Sequence, residues 1–144
     1  MTPMEGSKCL LYLRLGWKDD YFRLLNRALE QEDPLSPLTL ELALCGSNTS
    51  EAQSVLRNDP GVSSVSEDEI LEWAYKKLYG GKPLSDFRTE ELDETFRRLQ
   101  TGYDLFENPL WTGLFYHLEI MHYLEEEEEI AAWKKKRRGR RKGR

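Results

Sequence analysis

The residues best able to do chemistry lie in the last twenty positions, where a run of acids is followed by a run of bases. The basic residues are Lys134, Lys135, Lys136, Arg137, Arg138, Arg140, Arg141, Lys142 and Arg144. Lysine and arginine at this density bind phosphates by charge and counterion release, and they also match a nuclear-localisation signal. The sequence therefore predicts that residues 134–144 bind RNA or DNA and an import receptor.

The rest of the chain has the opposite charge. Of 21 basic residues nine lie in the tail, whereas all 26 acids precede it. Residues 1–133 therefore carry a net charge of −14 and the tail +9, which together give the formal −5. Because an acidic surface repels nucleic acid, only the tail can attract a polyanion. We expect an acidic helical domain over residues 1–133 that binds protein partners, and a basic tail over residues 134–144.

The acids Glu125–Glu129 lie four residues before the basic tail and allow two interpretations. In the first, the glutamates compete with phosphate for the tail of the same chain. In the second, they only extend a helix, since acids placed early and bases placed late complement the helix dipole.

No set of residues in the sequence predicts catalysis or a bound cofactor. His117 and His122 are five positions apart and would point to different faces of one helix, so they do not form a metal-ligand pair. Cys45 would lie at a helix C-terminus, which does not activate a thiol. The segment Gly80–Pro83 lacks the spacing of a phosphate loop. We expect no enzyme activity, cofactor, metal or disulfide, and no membrane span, because no apolar run is long enough.

Two motifs resemble known functional segments. The tail resembles the arginine-rich motifs of small viral RNA-binding regulators. Four leucines have the spacing of a leucine-rich nuclear export signal: Leu35, Leu38, Leu42 and Leu44. Together they are similar to the modules of viral shuttling RNA-export regulators. This resemblance implies a non-enzymatic regulatory protein of the nucleus or nucleolus that shuttles to the cytoplasm. The alternative for the leucines is that they pack in the core.

A third segment supports a different function. Residues Leu42–Ser63 resemble the helix-turn-helix of bacterial repressors, with Gly46 at the turn. Residues Leu42–Arg57 also share residues with a segment of foamy-virus transactivators. The resemblance implies a DNA-binding transcriptional regulator that reads bases near residues 42–58 through Gln53, Ser54 and Arg57.

The apolar periodicity predicts an all-α fold: one small bundle of five to seven helices, with a tail that is disordered or extends the last helix. The run Cys9–Leu15 fits a buried strand or a helix. The predicted helix starts are Asp19 or Asp20, Ser36-Pro37, a Ser50–Gln53 capping box, a Ser66–Glu69 capping box, Thr89 and Asn108-Pro109. The predicted stops are Asp33-Pro34, Gly46, a turn at Asp59-Pro60-Gly61, and Gly80-Gly81. The predicted inner stripe of the last helix is Leu110, Leu114, Leu118, Met121 and Leu124.

Overall fold

The computed structural model describes residues 1–80 and 89–142, with side chains up to residue 137 in the last helix. Eight helices and no strand occur in these ranges, which confirms the all-α prediction. The helices are α1 (Pro3–Leu15), α2 (Lys18–Gln31), α3 (Pro37–Leu44), α4 (Thr49–Asn58), α5 (Pro60–Ser63), α6 (Glu67–Tyr79), α7 (Thr89–Gln100) and α8 (Pro109–Lys142). A 3-10 turn at Leu105–Glu107 precedes α8. The predicted stop at Gly81 lies outside the described residues.

Helix α1 is the centre of the bundle and is covered on all sides. It packs against α2, α4, α5, α6 and α7. Its residues from Cys9 to Leu15 are buried except for the partly exposed Arg14. A helix with no polar face has no amphipathic period, which explains why its sequence fitted a strand equally well.

The polar group of Arg14 is accommodated at the edge of this core. Its guanidinium donates to the Gly102 carbonyl at 3.4 Å and lies 4.8 Å from the centre of the Tyr103 ring. From α7, Arg98 donates to the carbonyl of Leu15 at the end of α1. These contacts join α7 and the following turn to the central helix.

Side-chain caps set the start of α3 and α4. The Ser36 hydroxyl accepts from the Thr39 N–H at 3.3 Å, so the predicted cap of α3 is confirmed. Helix α3 ends before Gly46, whose φ of 55° is a conformation that glycine adopts without steric cost. The predicted capping box of Ser50 and Gln53 is wrong. Asn48 caps α4 instead, and its side-chain oxygen accepts from the Glu51 N–H at 3.1 Å.

The predicted turn at Asp59-Pro60-Gly61 is also wrong, because a helical turn forms there. The Asp59 carboxylate accepts from the Val62 N–H at 3.0 Å, and Pro60 occupies the first position of α5. Val62 packs so closely on α1 that a Cβ added at Gly6 would lie 2.6 Å from it. Helix α6 begins after Ser66 as predicted, but the Ser66 side chain makes no capping hydrogen bond.

Helix α8 is anchored in the bundle by its first three turns. Trp111, Leu114 and Leu118 are buried, and the Trp111 indole N–H donates to the Leu71 carbonyl at 3.0 Å. The predicted inner stripe is correct for Leu114 and Leu118. It is wrong for Leu110 and Leu124, which are exposed, because Trp111 turns a neighbouring face of the helix toward the core.

Candidate polyanion-binding end of helix α8

The last contacts between α8 and the bundle are made near the start of α7. The Thr89 hydroxyl donates to Glu125 at 2.6 Å, and His122 Nε2 lies 2.7 Å from the Asp93 carboxylate. Every described side chain from residue 126 to residue 137 is exposed. The helix continues to Lys142, so at 1.5 Å per residue it extends roughly 25 Å beyond Glu125.

The acidic and basic runs of α8 are separated by one helical turn. Residues Ile130–Trp133 form this spacer, so the nearest acid and base, Glu129 and Lys134, are five positions apart. Ion pairs along a helix need a separation of three or four positions. Accordingly, none of the four bases Lys134–Arg137 forms an ion pair with a carboxylate in the described part of the chain. This geometry favours the interpretation in which the glutamates extend the helix.

Two charged side chains near the ends of the exposed segment lie beside aromatic rings. The Arg137 guanidinium lies 5.2 Å from the centre of the Trp133 ring, and the Trp133 side chain is 58% exposed. The Glu127 carboxylate beside the Tyr123 hydroxyl raises the pKa of Tyr123. Glu127 and Arg137 are both exposed and form no ion pair with each other.

The predicted phosphate-binding residues lie in a continuous helix as far as the structure describes them. Lys134, Lys135, Lys136 and Arg137 are exposed. The backbone of Arg138, Arg140, Arg141 and Lys142 belongs to α8, which passes through Gly139. Arg144 lies outside the described residues. The described part of the tail therefore extends α8, and a helix presents only part of its circumference to a single ligand.

The four candidate export leucines are divided between the core and the surface. Leu42 is completely buried and Leu38 is nearly so, whereas Leu44 is 78% exposed and Leu35 is 37% exposed. An export receptor would contact all four only if α3 left the bundle. The export signal stays a prediction.

The helix-turn-helix-like segment is a helical corner formed by α3 and α4. Glu51, Ser54 and Arg57 are exposed along α4, and Gln53 is half-buried. The exposed face therefore offers a mixture of one base, one acid and small polar groups. The prediction that this corner reads DNA stays a prediction.

Burial and hydrogen bonding within the bundle determine the environments of the two histidines and the two cysteines. His117 Nε2 is buried and has no hydrogen-bond partner among the described residues. The hydrogen bond to Asp93 raises the pKa of His122. Burial raises the pKa of the Cys9 thiol to about 12, and it also raises the pKa of Cys45. Neither cysteine is therefore a thiolate at neutral pH.

Among residues 1–80 and 89–142, no group of three or more His, Cys, Asp or Glu side chains is placed to hold a metal ion. None of the described helices has the length and apolar character needed to cross a bilayer.

No family model, no curated protein and no solved structure matches the chain. The class that the structure defines is an all-α bundle from which one helix with segregated charges extends.

The sequence interpretation missed a second apolar face of α8. Tyr116, Ile120, Tyr123 and Ile130 are each more than half exposed and lie opposite the face that is buried in the bundle. Their spacing of four, three and seven positions is typical of one face of a helix and could have identified this second face. The leucines of α8 have a helical spacing that is equally regular, and they led to the opposite face.

Proposed function

We propose that this protein is a non-enzymatic regulatory or adaptor protein of the nucleus, whose acidic bundle binds protein partners and whose basic helix end binds RNA. The same basic segment is the ligand of an import receptor. Shuttling to the cytoplasm and a viral-accessory role are the finer parts of this proposal, and they rest on the resemblances of the tail and the leucines.

The observation that carries the proposal is the lack of intramolecular neutralisation at the end of α8. Lys134–Arg137 are exposed and form no ion pair with a described carboxylate. They are at least five positions from the nearest glutamate, beyond the three or four that pairing along a helix needs. Bases left unpaired in this way are available to neutralise phosphates, and the counterions that the nucleic acid then releases drive binding. The acidic bundle disfavours additional contact with nucleic acid, so binding is confined to the helix end.

The binding test compares the intact chain with a chain that ends at Trp133, using a fluorescent single-stranded RNA and anisotropy. We expect the truncated chain to lose at least 100-fold in affinity. For the intact chain, a helix that presents about half of its nine bases would contact about four or five phosphates, so the slope of log K against log salt should be about −3. If the tail were fully extended and all nine bases contacted phosphate, the slope would be near −6.

The control for this test removes bases from the bundle. Arg23→Ala with Arg27→Ala changes two exposed bases of α2 and should leave RNA affinity within about twofold. If the chain ending at Trp133 binds RNA as tightly as the intact chain, the helix end does not bind RNA and the proposal is refuted.

The import part has its own readout in living cells. A fluorescent fusion of the intact chain should accumulate in the nucleus, and deletion of residues 134–144 should distribute it through the cell. Unchanged nuclear accumulation of the deletion variant would remove the tail as the import signal.

A second candidate function is DNA reading by the α3–α4 corner, which is favoured by the helix–turn–helix arrangement around Gly46 and by the exposure of Arg57. It is tested by a binding selection from random duplexes. If Arg57→Ala changes the selected sequence while removal of residues 134–144 only weakens binding, the corner is the reader. If the intact chain selects no sequence, this candidate is excluded.

A further inference from the structure

Helix α8 has an exposed seam of side chains with heptad spacing. The seam is defined by Tyr116, Ile120, Tyr123, Glu127, Ile130, Lys134 and Arg137, which follow one another at alternating intervals of four and three. Such an alternation keeps the residues on one face of a helix, and helices pair through such a face when its residues are apolar. Here Tyr116, Ile120, Tyr123 and Ile130 are apolar or aromatic, whereas the other three seam residues are charged, so charge decides how the seam can pair. Tyr123, Ile130 and the neighbouring Trp133 are all more than half exposed.

The charges on the seam determine how a second helix could pair with it. In a parallel pair of two α8 helices, each glutamate run would face glutamates and each basic run would face bases. In an antiparallel pair, the glutamates of one copy face the bases of the other. Opposite charges across such a seam determine which helix pairs with it and whether the pair is parallel or antiparallel.

The two charge runs give the alignment of the pair. An antiparallel pair centred on Ala132 places Glu125–Glu129 opposite residues 135–139 of the second copy, four of which are basic. The same alignment places Glu127 opposite Arg137 and Ile130 opposite Lys134 of the second copy.

We propose that two copies of this chain associate through antiparallel pairing of their α8 helices, centred on Ala132. Ile130 and Trp133 of both copies form the apolar middle, with the methylene stem of Lys134 beside Ile130. On each side of this middle, Glu127 of one copy pairs with Arg137 of the other. Within each copy, the Arg137 guanidinium already lies against the exposed ring of Trp133.

The isolated helix end gains stability from this pairing. Alone, it carries like charges four positions apart, such as Glu125 with Glu129, which destabilise a helix. Opposite charges from a second copy offset this repulsion. Since the contacts are exposed ion pairs, the association weakens as salt rises. The proposal does not rest on RNA binding, although RNA would compete for the same bases.

The test measures the dimer dissociation constant by sedimentation equilibrium, with nucleic acid removed by nuclease and high salt. We expect a dimer in the micromolar range at low salt, weakened at least tenfold at high salt. Glu127→Arg alone and Arg137→Glu alone should each raise the constant at least tenfold, because each places like charges opposite one another twice. The double variant Glu127→Arg with Arg137→Glu restores opposite charges and should return to within about threefold of the native value.

The matched control is Glu129→Arg, which makes the same charge change two positions away from Glu127 and off the seam. It should change the constant by less than about threefold, and far-UV circular dichroism should show native helix content for every variant. A native chain that stays monomeric at high concentration and low salt overturns the proposal. So do single variants that remain dimeric, or a double variant that is not rescued.

Discussion

The substitution Trp111→Phe tests how α8 is attached to the bundle. Trp111 is fully buried, its N–H donates to the Leu71 carbonyl at 3.0 Å, and its ring lies 5.7 Å from that of Tyr75 and 6.0 Å from that of Tyr79. Phenylalanine keeps an aromatic ring but removes the hydrogen bond and part of the buried ring surface. The position is therefore sensitive both to packing and to one defined polar contact.

The expected loss can be worked from these two contributions. The hydrogen bond contributes about 1 kcal/mol, because the Leu71 carbonyl keeps its helical partner and is not left without a donor. The lost ring atoms and the space they leave contribute about 1–2 kcal/mol more. We expect Trp111→Phe to lower the free energy of unfolding by about 2–3 kcal/mol, and Trp111→Ala to lower it by about 3–5 kcal/mol.

Urea unfolding followed by far-UV circular dichroism measures these differences. The matched control is Trp133→Phe, the same change at the exposed tryptophan of the same helix, which should alter the free energy of unfolding by less than about 0.5 kcal/mol. If Trp111→Phe is as stable as the native chain, or if the two phenylalanine variants lose the same amount, α8 is not anchored through Trp111.

Two further substitution sets test the core and a charged contact near the start of the chain. Leu42→Ala should cost about 2–5 kcal/mol of unfolding free energy and Leu44→Ala less than about 0.5 kcal/mol, because Leu42 is buried and Leu44 is 78% exposed; equal losses in urea unfolding would mean that α3 does not pack as described. Burial raises the pKa of Glu32. This effect is outweighed by hydrogen bonds that its carboxylate accepts from the Met1 amino group, the Ser36 N–H and the Thr39 hydroxyl, and the pKa is lowered to about 2. Because this pKa lies below the unfolded value of 4.5, these contacts stabilise the fold above pH 4.5, and the stabilisation is lost as pH falls toward 2. Glu32→Gln should lower the free energy of unfolding by about 1–3 kcal/mol at neutral pH. It should also flatten the dependence of that free energy on pH between 4.5 and 2. An unchanged pH dependence would contradict the contact.

The fold class and the starts of α3, α6, α7 and α8 could be predicted from the sequence because they depend on local signals. The predicted start of α2 at Asp19 or Asp20 is wrong, because α2 begins after Trp17 without a side-chain cap. Ser36-Pro37 and Asn108-Pro109 mark helix starts, and the Asn108 side chain accepts from the Leu110 N–H at 3.0 Å. Asp59-Pro60-Gly61 carries the same kind of signal, but its residues are also those of a turn. In the fold the helical form is adopted, with Val62 buried and α5 packed against α1.

The register of α8 could not be predicted because two opposite faces of this helix are apolar. Leu110, Leu114 and Leu118 define one period, and Tyr116, Ile120 and Tyr123 define another. The choice depends on the pocket formed by α6, where Trp111 meets Leu71, Tyr75 and Tyr79. No local pattern contains that information.

The basic segment was evident from composition, whereas its relation to the glutamates needed the helix. The sequence left open whether Glu125–Glu129 compete with phosphate for the tail. Continuous helix through Ile130–Trp133 fixes the separation at five positions or more, which prevents pairing along the helix.

The most direct measurement is the affinity for single-stranded RNA of a variant in which Lys134, Lys135, Lys136 and Arg137 are all alanine, titrated beside the native chain over a range of salt. If these exposed and unneutralised bases hold phosphate, the variant should bind at least 100-fold more weakly at low salt. Because about two of these four bases would contact phosphate, its slope of log K against log salt should be shallower by about 1.4. Native affinity and an unchanged salt slope in this variant would show that the end of α8 is not the polyanion-binding site.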